Sequence, residues 1–173
     1  PGMMSSVLLL DSDGVTLRTG ASPSLPEAYS QAIDGVTIGM GVGSCGTAAF
    51  TGKEVIVTDI ATDPLWQDYR DLALSFELRA CWSIPILSAK GQVLGTFANY
   101  HATPRTPKPD ELQTIRRGAH MVGVAIEHHH TQALLLAGQN SLKESALHTQ
   151  TILDNMADGV VTFNARGVIE SFN

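Results

Sequence analysis

Long apolar runs are missing from this 173-residue chain. None approaches the roughly 20 residues that a membrane span needs. Val7–Leu10 is of strand length and lacks the basic flank and small-residue cleavage site of a secretory leader. Cysteine is scarce: Cys45 and Cys81 are the two present, too few for the disulfide framework of a secreted domain. Together these features set the expectation of a cytoplasmic location. Basic residues are also few, 11 Lys and Arg against 17 Asp and Glu for a net charge of -6, and they form no stripe. A direct nucleic-acid partner is therefore not expected. The phosphate-loop, HExxH and CxxC patterns are missing too. His128, His129 and His130 are adjacent on a helical pattern, where neighbours diverge by about 100 degrees, so their rings cannot converge on one ion. No metal site is expected.

What is present reads as globular, with 43% hydrophobic and 16% charged residues. Met4–Leu10 has strand character, Asp11–Gly14 is a strong turn signal, and Val15–Thr19 pairs back as a hairpin. Pro26–Ile33 fits a short helix, and the glycine-rich stretch Gly35–Gly43 comes after it. Ser44 stands as a cap for a second short helix, Cys45–Phe50, which Gly52 ends. Glu54–Thr58 is rich in β-branched residues and reads as a strand covered on both faces. Asp63–Pro64 is a helix start, and Trp66, Tyr69, Leu72 or Ala73, and Phe76 succeed it at helical spacing. Cys81–Leu87 and Val93–Tyr100 form another hairpin, and Pro85, which donates no ladder bond, places the first of these strands at an edge or a bulge.

After Pro104, Pro107 and Pro109 the pattern turns helical for about forty residues. Leu112, Ile115, Ala119, Val122 and Ile126 form a stripe that must be buried, while His129, Ala133, Leu136, Leu142, Leu147, Leu153 and Met156 continue it less cleanly. Such a length predicts that part of the rod packs against a second copy of the chain. Gly159–Phe163, a turn at Asn164–Gly167 and Val168–Phe172 read as a last hairpin, as if a further module begins there.

The block GVGSCGTAAFTGKEVIVTDIATDPLWQDYRDLALSFELRACWSIPILSAKGQVLGTFANY, Gly41–Tyr100, resembles the central part of a GAF domain. It is closest to the variety found in bacterial multidomain sensory proteins, and the likeness extends from about Val7 to Glu127. Ile152–Asn173, with ILDNMADGVVTFNARGVIESFN, is similar to the opening helix and first two strands of a PAS domain. The resemblance implies an α+β fold: a central antiparallel β-sheet with helices on both faces, followed by a long C-terminal signalling helix. It divides the chain into a sensory domain over 4–127, a signalling helix over 128–151 and the truncated start of a PAS-like domain over 152–173. It also implies function: a small-molecule-sensing and dimerisation module that passes a conformational signal to a C-terminal output domain. Such a module is no enzyme by itself. Bilin-binding relatives carry a cysteine commonly followed by histidine; here Trp82 follows Cys81, so a bilin is not expected, and no other cofactor is indicated.

Between sheet and covering helices there is either solid core or a pocket. The candidate pocket residues are Cys45, Trp66, Tyr69, Phe76, Arg79, Cys81, Ser83, Phe97 and Asn99. Trp66, Tyr69 and Phe76 suit a clamp on a planar ligand with Arg79 as the anion anchor, or plain core with Arg79 paired to Glu77, Asp71 or Asp59. Alternation puts Cys81, Ser83 and Pro85 on one face of their strand and Trp82, Ile84 and Ile86 on the other. Cys45 and Cys81 suit a thiol-dependent reductase of a small oxidised metabolite, or two buried small hydrophobes. A third reading is a purely structural dimerisation module whose pocket is filled by side chains.

Overall fold

The computed structural model describes residues 3–152 and the backbone of 153–156, 161–163 and 169–172. It comprises two compact units, 1–127 and 128–173. In the first, β1 (Met4–Leu10), β2 (Thr16–Ala21), β3 (Val36–Thr37), β4 (Val55–Val57), β5 (Ala80–Leu87) and β6 (Val93–His101) form one sheet. Its order is β3-β2-β1-β6-β5-β4, antiparallel throughout. Three helices, α1 (Glu27–Ile33), α2 (Gly43–Thr51) and α3 (Arg70–Ser75), lie in the connections, and α4 (Pro109–Met156) comes after the sheet. This is the α+β arrangement expected from the sequence.

Local chemistry explains most boundaries. The β1–β2 turn closes on Asp13, whose carboxylate accepts from the Val15 and Thr16 amides at 2.9 Å. Gly52 ends α2 at φ +64, a backbone that glycine adopts without a Cβ clash, and its N–H donates to Ala48 O at 2.9 Å. Ser44 is not the cap. The helix begins one residue earlier, at Gly43, and the Ser44 hydroxyl points inward to donate to the Cys81 carbonyl at 3.2 Å. Asp63 does cap the turn after it, accepting from Leu65 N at 2.9 Å. The continuous helix expected after Pro64 is instead a 3-10 turn, Pro64–Trp66, and a separate α3. The N–H groups of Trp66, Gln67 and Tyr69 each bond the carbonyl three residues back. That winding has three residues per turn, which sets Trp66 and Tyr69 one above the other.

The sheet separates two cores. On one face Leu8, Leu17, Cys81, Ala98 and Tyr100 pack with Tyr29 of α1, Cys45 and Ala49 of α2, and Trp66. On the other, Trp82, Ile84 and Ile86 meet Ile115 and Ala119 of α4, flanked by Phe97, Leu112, Val122 and Ile126. The helical stripe read from the sequence thus packs on the sheet through its first five members. Gly123 makes the approach close: a Cβ there would stand 2.7 Å from the Leu87 carbonyl oxygen. Pro85 sits where β5 has an open side. β4 ends its pairing opposite Ser83, and Pro85 faces Thr96 of β6 alone.

In the second unit α4 carries exposed Leu134, Leu135, Leu136, Leu142 and Leu147. β7 (Val161–Phe163) and β8 (Ile169–Phe172) pair antiparallel, the hairpin expected from the sequence; its turn lies outside the described residues. Among the described residues no helix is long and apolar enough to cross a membrane.

Candidate functional site

A small cavity of about 30 Å³ lies between the sheet and its cover. Leu8 and Tyr100 form its floor, Tyr29 and Ile33 of α1 one wall, and Val42–Gly46 another, with Trp66 and Tyr69 closing it. The glycines let the layers meet: Gly43 has φ +55, and a Cβ on it would touch the Trp66 ring at 3.5 Å. Buried hydrogen bonds hold the cover down. Trp66 Nε1 donates to Ser44 Oγ at 3.0 Å, and Ser44 donates onward to β5. Tyr29 stacks edge-on against both Tyr100 and Phe76, with ring centroids 5.7 and 5.5 Å apart. A space of 30 Å³ suits one or two waters, whereas drug-sized ligands occupy about 300 to 1,000 Å³. As it stands, the site is too small for such a ligand.

Beneath the cavity lies a polar layer. Cys45 Sγ is 3.5 Å from the Tyr100 hydroxyl, and Cys81, Ser83 and Thr96 also face the Cys45 thiol. The hydroxyls of Ser6, Thr47, Ser83 and Thr96 are buried with no hydrogen-bond partner. Unpartnered buried hydroxyls are costly, by about 1 to 3 kcal/mol each. Electrostatics orders the two thiols. Cys81 and the Tyr100 hydroxyl beside Cys45 favour its thiolate, so its pKa is lowered. Burial pushes Cys81 up, reinforced by its neighbour Cys45. Burial likewise raises Tyr29 and Tyr100, which keep their protons at neutral pH.

The expected pocket residues therefore divide. Cys45, Trp66 and Tyr69 line the cavity. Cys81 and Ser83 share that face of the sheet but lie fully buried. Phe76 packs on Tyr29 behind the wall. Arg79 is elsewhere, donating from Nε and Nη2 to Asp59 at 3.1 to 3.2 Å, which is one of the ion pairs considered for it. Phe97 and Asn99 are on the opposite face: Phe97 touches Gly118 of α4, and Asn99 accepts from the Ser5 hydroxyl at 3.0 Å. One step of strand parity decides this, since Tyr100, not Asn99, stands across from Cys81. Counting back across the hairpin from Cys81 would have found Tyr100. No sequence signal pointed to Tyr29.

The chain matches the family model for the GAF domain over residues 2–127 and belongs to that family. It is 42% identical over 158 residues to the methyl sulfide methyltransferase-associated sensor of Methanosarcina acetivorans, covering 91% of this chain. The chain spans 15% of that sensor's length. Among solved structures it is similar to a domain of a two-component sensor histidine kinase protein from Sinorhizobium meliloti (TM-score 0.61, 19% identity, 76% of this chain and 83% of that one). It is also similar to the GAF domain of a phosphoenolpyruvate-protein phosphotransferase from Coxiella burnetii (TM-score 0.62, 16% identity, 76% and 75% covered). At these identities the two structures speak for the fold alone. Family membership and a relative named as a sensor both support a sensory signalling role.

Proposed function

We propose that the module senses a small molecule at the cavity under α2 and transmits its occupancy to a C-terminal output domain through α4. The observation that carries this reading is the small, aromatic-walled cavity above a layer of unpartnered hydroxyls. A ligand larger than a few waters enters only if the Trp66–Tyr69 cover moves. Binding is then coupled to a change of shape by necessity, because the open and closed states differ in affinity. β5 connects the two faces: Cys81 looks into the cavity layer and the next residue, Trp82, packs toward α4. The exposed leucines of the second unit suit a parallel pairing with another copy of the chain. On this reading the β7–β8 hairpin is the opening of a PAS-like domain.

One observation favours a second reading, a dimerisation module whose pocket is filled: the cavity's own small size. Native mass spectrometry of the purified chain, run beside a denatured control, separates the two. A dimer that carries or takes up an added non-covalent mass from a panel of nucleotides and metabolites supports sensing. A dimer that takes up none across the panel, with Trp66 fluorescence unchanged, supports the filled module. A monomer at micromolar concentration overturns the helix pairing in both.

A further inference from the structure

We propose that Cys45 and Cys81 form a reversible dithiol–disulfide pair, oxidised by small hydroperoxides that reach Cys45 through the cavity. Three observations converge on it. Cys45 Sγ lies 3.5 Å from the Tyr100 hydroxyl, and Tyr100 stands directly across from Cys81 in the β5–β6 register, on the same face. The residue before Cys45 is fastened to the residue it must reach, since Ser44 Oγ donates to the Cys81 carbonyl at 3.2 Å. The two sulfurs also differ in access: Cys45 lines the cavity, while Cys81 is 0% exposed beneath it. An attacking thiol on the cavity wall and a sheltered resolving thiol behind it are what such a pair requires.

The surrounding groups suit the chemistry. The groups facing Cys45 favour its thiolate, the reactive form, while Cys81 keeps its proton until the first step is complete. In that step the Cys45 sulfur attacks the peroxide, the O–O bond breaks, and the alkoxide or hydroxide leaves with the proton that Cys45 gave up. Cys45 is then a sulfenic acid. The Cys81 sulfur displaces its hydroxyl, which departs as water with the Cys81 proton. The sum is two thiols and one hydroperoxide giving a disulfide, one alcohol or water, and one further water. The bond turns Cys45 away from Tyr100 and ties the first turn of α2 to the centre of β5, which alters the cavity wall. The pair is independent of the small-molecule reading, because it needs two side chains and no bound ligand.

The test uses the full chain and hydrogen peroxide. Peroxide-treated and untreated protein is alkylated after denaturation, and intact masses and peptide maps are compared. The expected result is joint loss of both thiols, an intact mass before alkylation lower by two hydrogens, a Cys45–Cys81 crosslinked peptide, and recovery with dithiothreitol. In Cys81→Ser, Cys45 should stop at a sulfenic acid that dimedone traps. In Cys45→Ser, oxidation of Cys81 should slow by about tenfold or more, its thiol being sheltered and held protonated. Two thiols that remain alkylatable while circular dichroism shows a folded chain overturn the proposal, as does oxidation of either thiol to a sulfinic acid without crosslinking. If a serine variant unfolds, the wild-type peptide map still decides, because it contains or lacks the crosslink.

Discussion

Trp66 and Ser44 are joined by a buried hydrogen bond of 3.0 Å, from the indole N–H to the hydroxyl oxygen. The same hydroxyl donates to the Cys81 carbonyl, so one serine links the 3-10 turn, α2 and β5. Ser44→Ala leaves the indole N–H and the Cys81 carbonyl without this partner inside the core. The variant should lose about 1 to 3 kcal/mol of stability, measured by urea denaturation. Its Trp fluorescence should also shift as the cover loosens. A loss within experimental error of zero would mean that water replaces the hydroxyl and that the cover is not fastened here.

The Arg79–Asp59 pair predicts a smaller and different effect. Both side chains are partly exposed, and the Asp59 carboxylate also accepts from the Ala61 amide. Arg79→Gln should cost about 1 kcal/mol or less by denaturation, as partly exposed ion pairs do. Any ligand found at the cavity should bind this variant as it binds the wild type, because Arg79 is engaged elsewhere. A selective loss of binding in isothermal titration would place the anion anchor at Arg79 after all.

His101 sets a pH dependence. It is buried against Trp82, with ring centroids 4.2 Å apart, and Arg105 and Glu111 are the charged groups acting on it. Burial, with Arg105 adding to it and Glu111 opposing, lowers its pKa below the ordinary histidine value. The unfolded chain therefore takes up the proton first. Stability contributed by neutral His101 is fully present above the unfolded pKa, about 6.5, and declines as the pH falls below it until the folded form is protonated too. Denaturation midpoints measured from pH 8 to pH 5 should fall over that window, and His101→Gln should flatten the slope. An unchanged slope in the variant would assign the dependence to another group.

Two glycines of α4 should respond in opposite directions to alanine. At Gly123 the new Cβ would press on the Leu87 carbonyl oxygen at 2.7 Å, backbone that cannot swing away. Gly123→Ala should destabilise by about 1 to 3 kcal/mol. A Cβ on Gly138 would meet nothing within 4 Å beyond its own helical turn, so Gly138→Ala should raise helix stability by about 1 kcal/mol. Thermal melts followed at 222 nm by circular dichroism check both signs.

The sequence by itself determined every strand of the sheet except β3, its two hairpins, the long helix and the α+β class. Their signals are local: an Asp13 that caps its own turn, a Gly52 at a left-handed helix end, and an apolar stripe from Leu112 to Ile126. Part of the site was legible in the same way, because Cys45, Trp66 and Tyr69 belong to segments that can only cover the sheet. Tertiary structure decided the rest. Phe97 and Asn99 fall on the far face because register, which no single strand encodes, fixes which residue opposes Cys81. Arg79 turns to Asp59 across twenty residues of chain, and Tyr29 reaches the cavity from a helix whose own sequence gives no hint of it. Most consequential is the placing of Cys45 against Tyr100, directly across from Cys81, which is thirty-six residues from Cys45 in the chain. Contacts of that range depend on how α2 lies on the sheet, and that is set by the sum of buried apolar surfaces on both, not by the residues flanking either cysteine.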